Sequence, residues 1–408
     1  MQEVTEPESW ANWAGNVQAV PRRVVQPSSL ADLRRAVLDA ASHNETVRVA
    51  GAGHSFAPLC VTGGTLLDLS LLAGIERIDP ATGNATIWAG TRLFNLGAPL
   101  LEAGRALLNQ GDIDRQALAG AVSTGTHGTG RKYGSFSSAV RAVEVMRADG
   151  ELVTIDAGDP LRLRAASLAL GLLGVLTKIT LATGPAYKLR EQNAAMSMEE
   201  CLAIFLDTER ARRNAEFWWL PALDTCVLKT FVETDDEPFR EDFPEAAPGT
   251  LERYLRPDYV DWSWRAYPSQ RNTQFVEMEY TLPLGEGPAA LREIRELVQT
   301  RHPDCTWAVE FRTQPGENPL LSPTQGEESA TISLHQAIEK SHETFFRDAE
   351  PIFLAHGGRP HWGKLQYLTA TQIGNLYPEL PAFEAIRREM DPAGMFVNGY
   401  LRELGFGN

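Results

Sequence analysis

From Ser29 to Ser42 the apolar residues Leu30, Leu33, Val37 and Ala40 recur on one helical face, and Ser29, with Asp32 three residues on, has the form of an N-cap. A helix is predicted there. The pattern then changes: VRVAGAG (47–53) reads as a buried strand running into a glycine turn, TLLDLSLL (65–72) as another strand, and NATIWAGTRLFNLGAPLLEAG (84–104) as strand, turn and helix. VRAVEVMRADGELVTID (140–156) alternates around a central Asp-Gly, as a β-hairpin does, and SLALGLLGVLTKITLATG (167–184) is apolar and punctuated by glycine. Between these, GDIDRQALAGAVSTGTHGTGRKYG (111–134) holds six glycines and few long apolar side chains, which predicts a loop system lying against something.

Beyond Pro185 the texture coarsens into aromatic clusters (FWWLP, DWSWRAYP), an acidic stretch at Glu233–Asp242 and further strands such as FVEMEYTLPL and TWAVEFRTQ. Segments Phe243–Thr250 and Gln314–Gly326 are expected to be surface loops. Mixed strands and short helices give an α+β fold, with a first domain over 1–184, a second over 185–365, and a C-terminal segment over 366–408. That last segment is a turn followed by a short amphipathic piece, expected to return to the first domain.

Composition narrows the function. The 408 residues are enough for two or three domains, and 43% apolar with 22% charged content describes a globular protein with core enough for an enzyme. A net charge of −15 argues against nucleic acid and anionic membrane as partners, since both reward clustered Lys and Arg; on charge alone a small neutral or cationic ligand fits better. The opening MQEVTEPESWANW has neither a basic n-region nor an apolar h-region, and the four scattered cysteines show no CxxC spacing. A cytoplasmic protein with reduced thiols is the expectation, its oligomeric state left open.

GAGHSF after a strand invites the dinucleotide fingerprint, with Asp68 placed to take a ribose hydroxyl, but Pro58 and Gly63–Gly64 leave no room for the required crossover helix. Two glycine loops each carrying a histidine, His54 and His127, instead suggest one large anionic ligand held by backbone N–H groups from both sides. The eight histidines show no HExxH and no ligand spacing, so no metal is expected.

RVAGAGHSFAPL, LAGAVSTGTHGTG, LGLLGVLTKITL, AVEFRT and RPHWGK, in this order between WANWAG (10–15) and DPAGMFVNGYL (391–401), resemble the vanillyl-alcohol-oxidase superfamily of FAD flavoproteins, in its aldonolactone oxidase and alditol oxidase branch. The resemblance implies a two-subdomain FAD-binding domain and a substrate (cap) domain with an antiparallel sheet. It implies FAD bound covalently through His54, with Ala50, Gly51, Ala52, Gly53 and Ser55 around the pyrophosphate. Gly120, Ala121, Ser123, Thr124, Gly125, Thr126, His127 and Gly128 would form the other half of the cradle, and Gly174 and Val175 would meet the adenine.

Oxidising a carbinol needs the C–H held near the flavin, a group for the hydroxyl proton, and positive charge where the reduced flavin becomes anionic. In VEFR, read as a strand, Glu310 and Arg312 share a face. The family pattern sets this pair against substrate and Lys364 beside the flavin, so Glu310, Arg312 and Lys364 are the catalytic candidates. Glu277, Ser333, His335 and His361 are further substrate-binding candidates, alongside Glu279. Alditol oxidases carry serine where this chain has Ala121 and glutamine where it has Glu277, which favours a sugar 1,4-lactone substrate with O2 as acceptor giving H2O2. An alditol substrate is the alternative, and a flavin-binding module without turnover is the alternative of another kind.

Overall fold

The computed structural model describes residues 2–3, 9–240, 246–268 and 273–407. Its first body is built on two sheets. In the four-stranded one, Gln2–Glu3, Arg23–Gln26, Thr65–Asp68 and Val47–Ala50 lie side by side, the last three parallel. The predicted helix, Leu30–Ser42, is the crossover between Arg23–Gln26 and Val47–Ala50; the Ser29 side chain accepts from the Asp32 amide, and Leu33, Val37 and Ala40 are fully buried. Thr65–Asp68 pairs parallel to Val47–Ala50, yet residues 51–64 connect them without a helix, as the proline and paired glycines require. The second sheet is antiparallel, in the order Leu152–Asp156, Val140–Met146, Val175–Leu181, Ala85–Trp88, Ile75–Ile78, and contains the predicted hairpin with Val143 opposite Ile155.

Two expectations differ from the structure. The glycine-rich stretch at 111–134 contains a helix, Leu118–Thr124, closed by Gly125 in the left-handed region at φ +78°. Leu118, Ala121 and Val122 are its buried face, a short stripe that the surrounding glycines obscure. The 314–326 segment is irregular but not superficial: Leu320 and Leu321 are fully buried in the first core, and the Glu317 carboxylate organises the bend by accepting from the Ser135 amide and hydroxyl and from Ser322. Residues 243–245 of the other expected loop lie outside the described residues.

The second body is an eight-stranded antiparallel sheet, ordered Tyr259–Trp262, Lys188–Met196, Thr225–Thr234, Asn214–Leu220, Val309–Gln314, Ser329–Ala337, Phe275–Pro283, Arg359–Pro360. Strand alternation divides its residues. Phe217, Phe311, Met278 and Ile332 enter a core with the helices Met198–Ala211, Gly287–Arg301 and Glu343–Ala355. Their strand neighbours Glu216, Glu310, Arg312, Glu277, Glu279 and Ser333 are buried on the opposite face. C-terminal residues return to the first core, where Phe383, Phe396 and Phe406 are buried.

Candidate active site

Two cavities meet at the loop that follows Val47–Ala50. The larger, a cleft of about 1140 Å³ counting its solvent-open mouth, runs through the first body and is lined by all of residues 50–55, by Gly120, Ala121, Ser123 and Thr124, and by Gly174. The smaller, about 610 Å³, lies against the charged face of the eight-stranded sheet. His54, Ser55, Gln116 and Thr124 line both.

The cleft fits an extended anionic dinucleotide such as FAD. The amides of residues 51–55 donate to no acceptor among the described residues, so a row of N–H groups is unspent beside the cleft. A Cβ on Gly120 would meet no protein atom within 4 Å, which leaves the cleft side of that helix open to close approach. Arg48, 4% exposed, also lines the cleft; its guanidinium donates to the carbonyls of Leu59 (2.7 Å), Leu170 (2.7 Å) and Phe396. Burial pushes its pKa down to about 10. Of the other cofactor candidates, Thr126, His127 and Lys364 line the smaller cavity. Gly125, Gly128 and Val175 line neither: Gly125 ends the helix, and a Cβ on Gly128 would sit 2.1 Å from the Gln110 carbonyl.

In the smaller cavity, antiparallel register brings three strands' charges together: Glu310 lies opposite both Trp218 and Ser333, Ser333 opposite Glu279, and His335 opposite Glu277. One Arg312 Nη reaches Glu310 Oε2 and Glu279 Oε2, each at 3.1 Å. The second Glu279 oxygen is 2.6 Å from His127 Nε2, while His127 Nδ1 donates to the Gly128 carbonyl at 2.8 Å. Burial alone would raise the Glu279 carboxyl, but His127 and Arg312 hold it well below its ordinary value. Lys364 is ion-paired with Glu277, whose carboxyl burial would raise but Lys364 and His335 hold low. Glu310 is the exception: burial outweighs the pull of Arg312 and pushes it up to about 8, and its Oε1 has no hydrogen-bond partner among the described residues.

The remaining candidates divide. His361 lines the cavity with Nδ1 accepting from the Gly363 amide at 3.0 Å, and burial drives its pKa down to about 3, so Nε2 carries the proton of a neutral ring. His335 lines it too, with Nδ1 on the Ala308 carbonyl at 2.9 Å. Ser333 sits behind Arg312, its hydroxyl 3.5 Å from the guanidinium, and does not line the cavity. Trp218 and Phe275 form an apolar wall. Gln116, whose buried Oε1 has no partner among the described residues, and Arg48 went unnoticed in the sequence; an arginine inside an apolar strand is a readable signal, whereas Gln116 has none. No group of three His, Cys, Asp or Glu able to hold a metal occurs among the described residues, and all four cysteines are free.

The chain is similar to known proteins along almost its whole length. Residues 21–156 match the FAD binding domain, and residues 252–404 match the D-arabinono-1,4-lactone oxidase family. L-gulono-1,4-lactone dehydrogenase of Mycobacterium tuberculosis is 31% identical, covering 97% of this chain and 98% of that protein. Alditol oxidase of a Streptomyces species is 29% identical, covering 96% and 98%. Among solved structures, cholesterol oxidase from B. sterolicum has the same fold, with a TM-score of 0.85 at 18% identity over 97% of this chain and 96% of that one.

Proposed function

The chain belongs to the aldonolactone and alditol oxidase branch of the FAD-linked vanillyl-alcohol-oxidase superfamily, and from that membership we propose that it oxidises a hydroxyl of a sugar 1,4-lactone and passes the electrons to O2 as H2O2. FAD would be held by residues 50–55, the Leu118–Thr124 helix and Gly174, and would supply the hydride acceptor. The observation that carries the reading is Glu310: a carboxyl oxygen without a partner among the described residues, in a cavity that shares His54, Ser55, Gln116 and Thr124 with the cofactor cleft.

Glu310 Oε1 accepts the proton of the substrate hydroxyl, a role suited to a carboxyl whose pKa is near 8. Arg312, fixed between Glu279 and Glu310, steadies the charge left when that proton moves. Because His127 and Arg312 keep Glu279 ionised, it orients the arginine and does not compete for the proton. The Nε2–H of neutral His361 offers a donor to a sugar oxygen, and Trp218 and Phe275 keep water from the reacting carbon. His54 is the covalent anchor in this reading. Burial, then the charges of Arg92, Lys364 and Arg115, push its pKa down to about 4, so the imidazole is neutral and nucleophilic at pH 7.

Acid precipitation of pure protein, followed by a lactone and alditol panel with peroxide detection, tests the proposal. Yellow retained in the pellet and lost in His54→Ala supports the tether, and peroxide from lactones supports the substrate. Reduction by alditols alone would reverse the substrate assignment; bleaching without peroxide would point to another electron acceptor.

A further inference from the structure

The WANWAGN stretch has no part in the chemistry above, yet it is wrapped around the loop that carries His54. Residues Trp10–Ala11 and Gln18–Ala19 pair, and the chain between them turns sharply: the Gly15 amide donates to the Asn12 carbonyl at 3.0 Å, with Gly15 at φ +76°. Asn12, 6% exposed, spends its whole amide: Oδ1 accepts from the Val17 amide at 3.0 Å, and Nδ2 donates to Asn16 Oδ1 at 2.8 Å and to the Ser55 carbonyl at 2.9 Å. Asn16 Nδ2 donates to the Phe56 carbonyl at 3.0 Å, and the Trp13 amide donates to the Gly53 carbonyl at 2.8 Å. Three carbonyls flanking His54 are thereby held from the side of the turn. The backbones approach so closely that a Cβ on Gly53 would lie 3.2 Å from Asn12 Cα, and Gly53 is itself at φ +69°. The Trp13 ring lies 5.2 Å from the His54 ring and 5.4 Å from Phe275.

We propose that the 12–16 turn is a clamp that positions the His54 imidazole, so that it governs how fast the chain attaches its own flavin; this rests on the covalent reading of His54. The bond forms between an imidazole nitrogen and the C8 methyl carbon of FAD. One methyl hydrogen and the imidazole N–H hydrogen are given up, the two protons and an electron pair reduce the isoalloxazine, and O2 takes them to give H2O2. Such a bond needs the nucleophile close and aligned, and a small displacement costs far more in rate than in folding. Residues 51–56 form no helix or strand, so side-chain anchors at Asn12 and Asn16 do the work that a regular element would otherwise do.

The test uses full-length protein from riboflavin-starved cells, supplied with FAD and followed by acid precipitation over time, with Tm measured in parallel. Asn12→Ala slows covalent incorporation by on the order of tenfold to a hundredfold, while Asn16→Asp, which keeps the acceptor for Asn12 but loses the donor to Phe56, slows it by about threefold. Trp13→Ala is slow and Trp13→Phe restores most of the rate. If Asn12→Ala does not fold, the exposed Asn16 and the Trp13 pair decide. A lowered Tm with wild-type incorporation in the folded variants would make the turn a plain structural tie and overturn the proposal. A colourless wild-type pellet would remove the tether itself, and the clamp with it.

Discussion

Glu310 sits with one oxygen on Arg312 and the other without a partner among the described residues, and most of the expected chemistry turns on that asymmetry. A carboxyl that must be ionised to accept a proton, with its pKa at about 8, makes kcat/KM rise with pH up to that point. Glu310→Gln should remove the inflection from the pH–rate profile and lower kcat by roughly 10²–10⁴. The same shift has a stability sign. The folded carboxyl binds its proton more tightly than the unfolded one, whose pKa is near the ordinary 4.5, so stability falls as pH rises between 4.5 and about 8. Glu310→Gln should therefore gain more Tm over wild type at pH 9 than at pH 4. Glu277 holds Lys364, and Glu277→Gln should release that ammonium toward the flavin and raise its reduction potential by roughly 30 mV, about 1.4 kcal/mol for a two-electron couple; dye-equilibration titration reads it. Period-two alternation made the shared face of Glu310 and Arg312 legible in VEFR. The engagement of Lys364 by Glu277 was not, because the two lie far apart in the chain and meet only when Leu365 bonds back to the Glu277 carbonyl at 2.9 Å.

Among elements, Val47–Ala50 carries two burdens: it delivers the 51–56 loop, and it seats Arg48 under the cleft, where three separate segments lend it carbonyls. Arg48→Met should leave the buried Leu170 and Phe396 carbonyls without donors, Leu59 keeping only the Asn398 side chain, and destabilise the first body by about 3 kcal/mol, read as a drop in Tm with weakened FAD retention. The helix at Ser29–Ser42, the hairpin at 140–156 and the strands FVEMEYTLPL and TWAVEFRTQ could be read locally, since cap, turn and period agree within each. Leu118–Thr124 could not, because seven residues among glycines give barely two turns of periodicity. Nor could the buried course of 314–326, which depends on Glu317 meeting Ser135, 182 positions earlier.

At the scale of the molecule, the two cavities form one functional space, and what fills the cleft contributes to stability. In His54→Ala, where FAD is held without a covalent bond, stability should depend on free FAD and gain about 2.7 kcal/mol at a hundred times Kd; thermal melts over a FAD series measure it. Wild-type protein should show no such dependence. The α+β class was legible from the mixture of patterns, whereas the meeting of the two bodies was not, for no local signal says which surface His127 will face. That contact has a consequence for engineers. His127 rises from the first body and is buried against Glu279 of the second, one of several pairs along the seam that include Arg131 with Glu209 and Thr129 with the Ala215 carbonyl. A chimera that grafts a relative's eight-stranded sheet onto this chain must bring an acceptor to face position 127, or it will assemble with the His127 imidazole stranded at its centre.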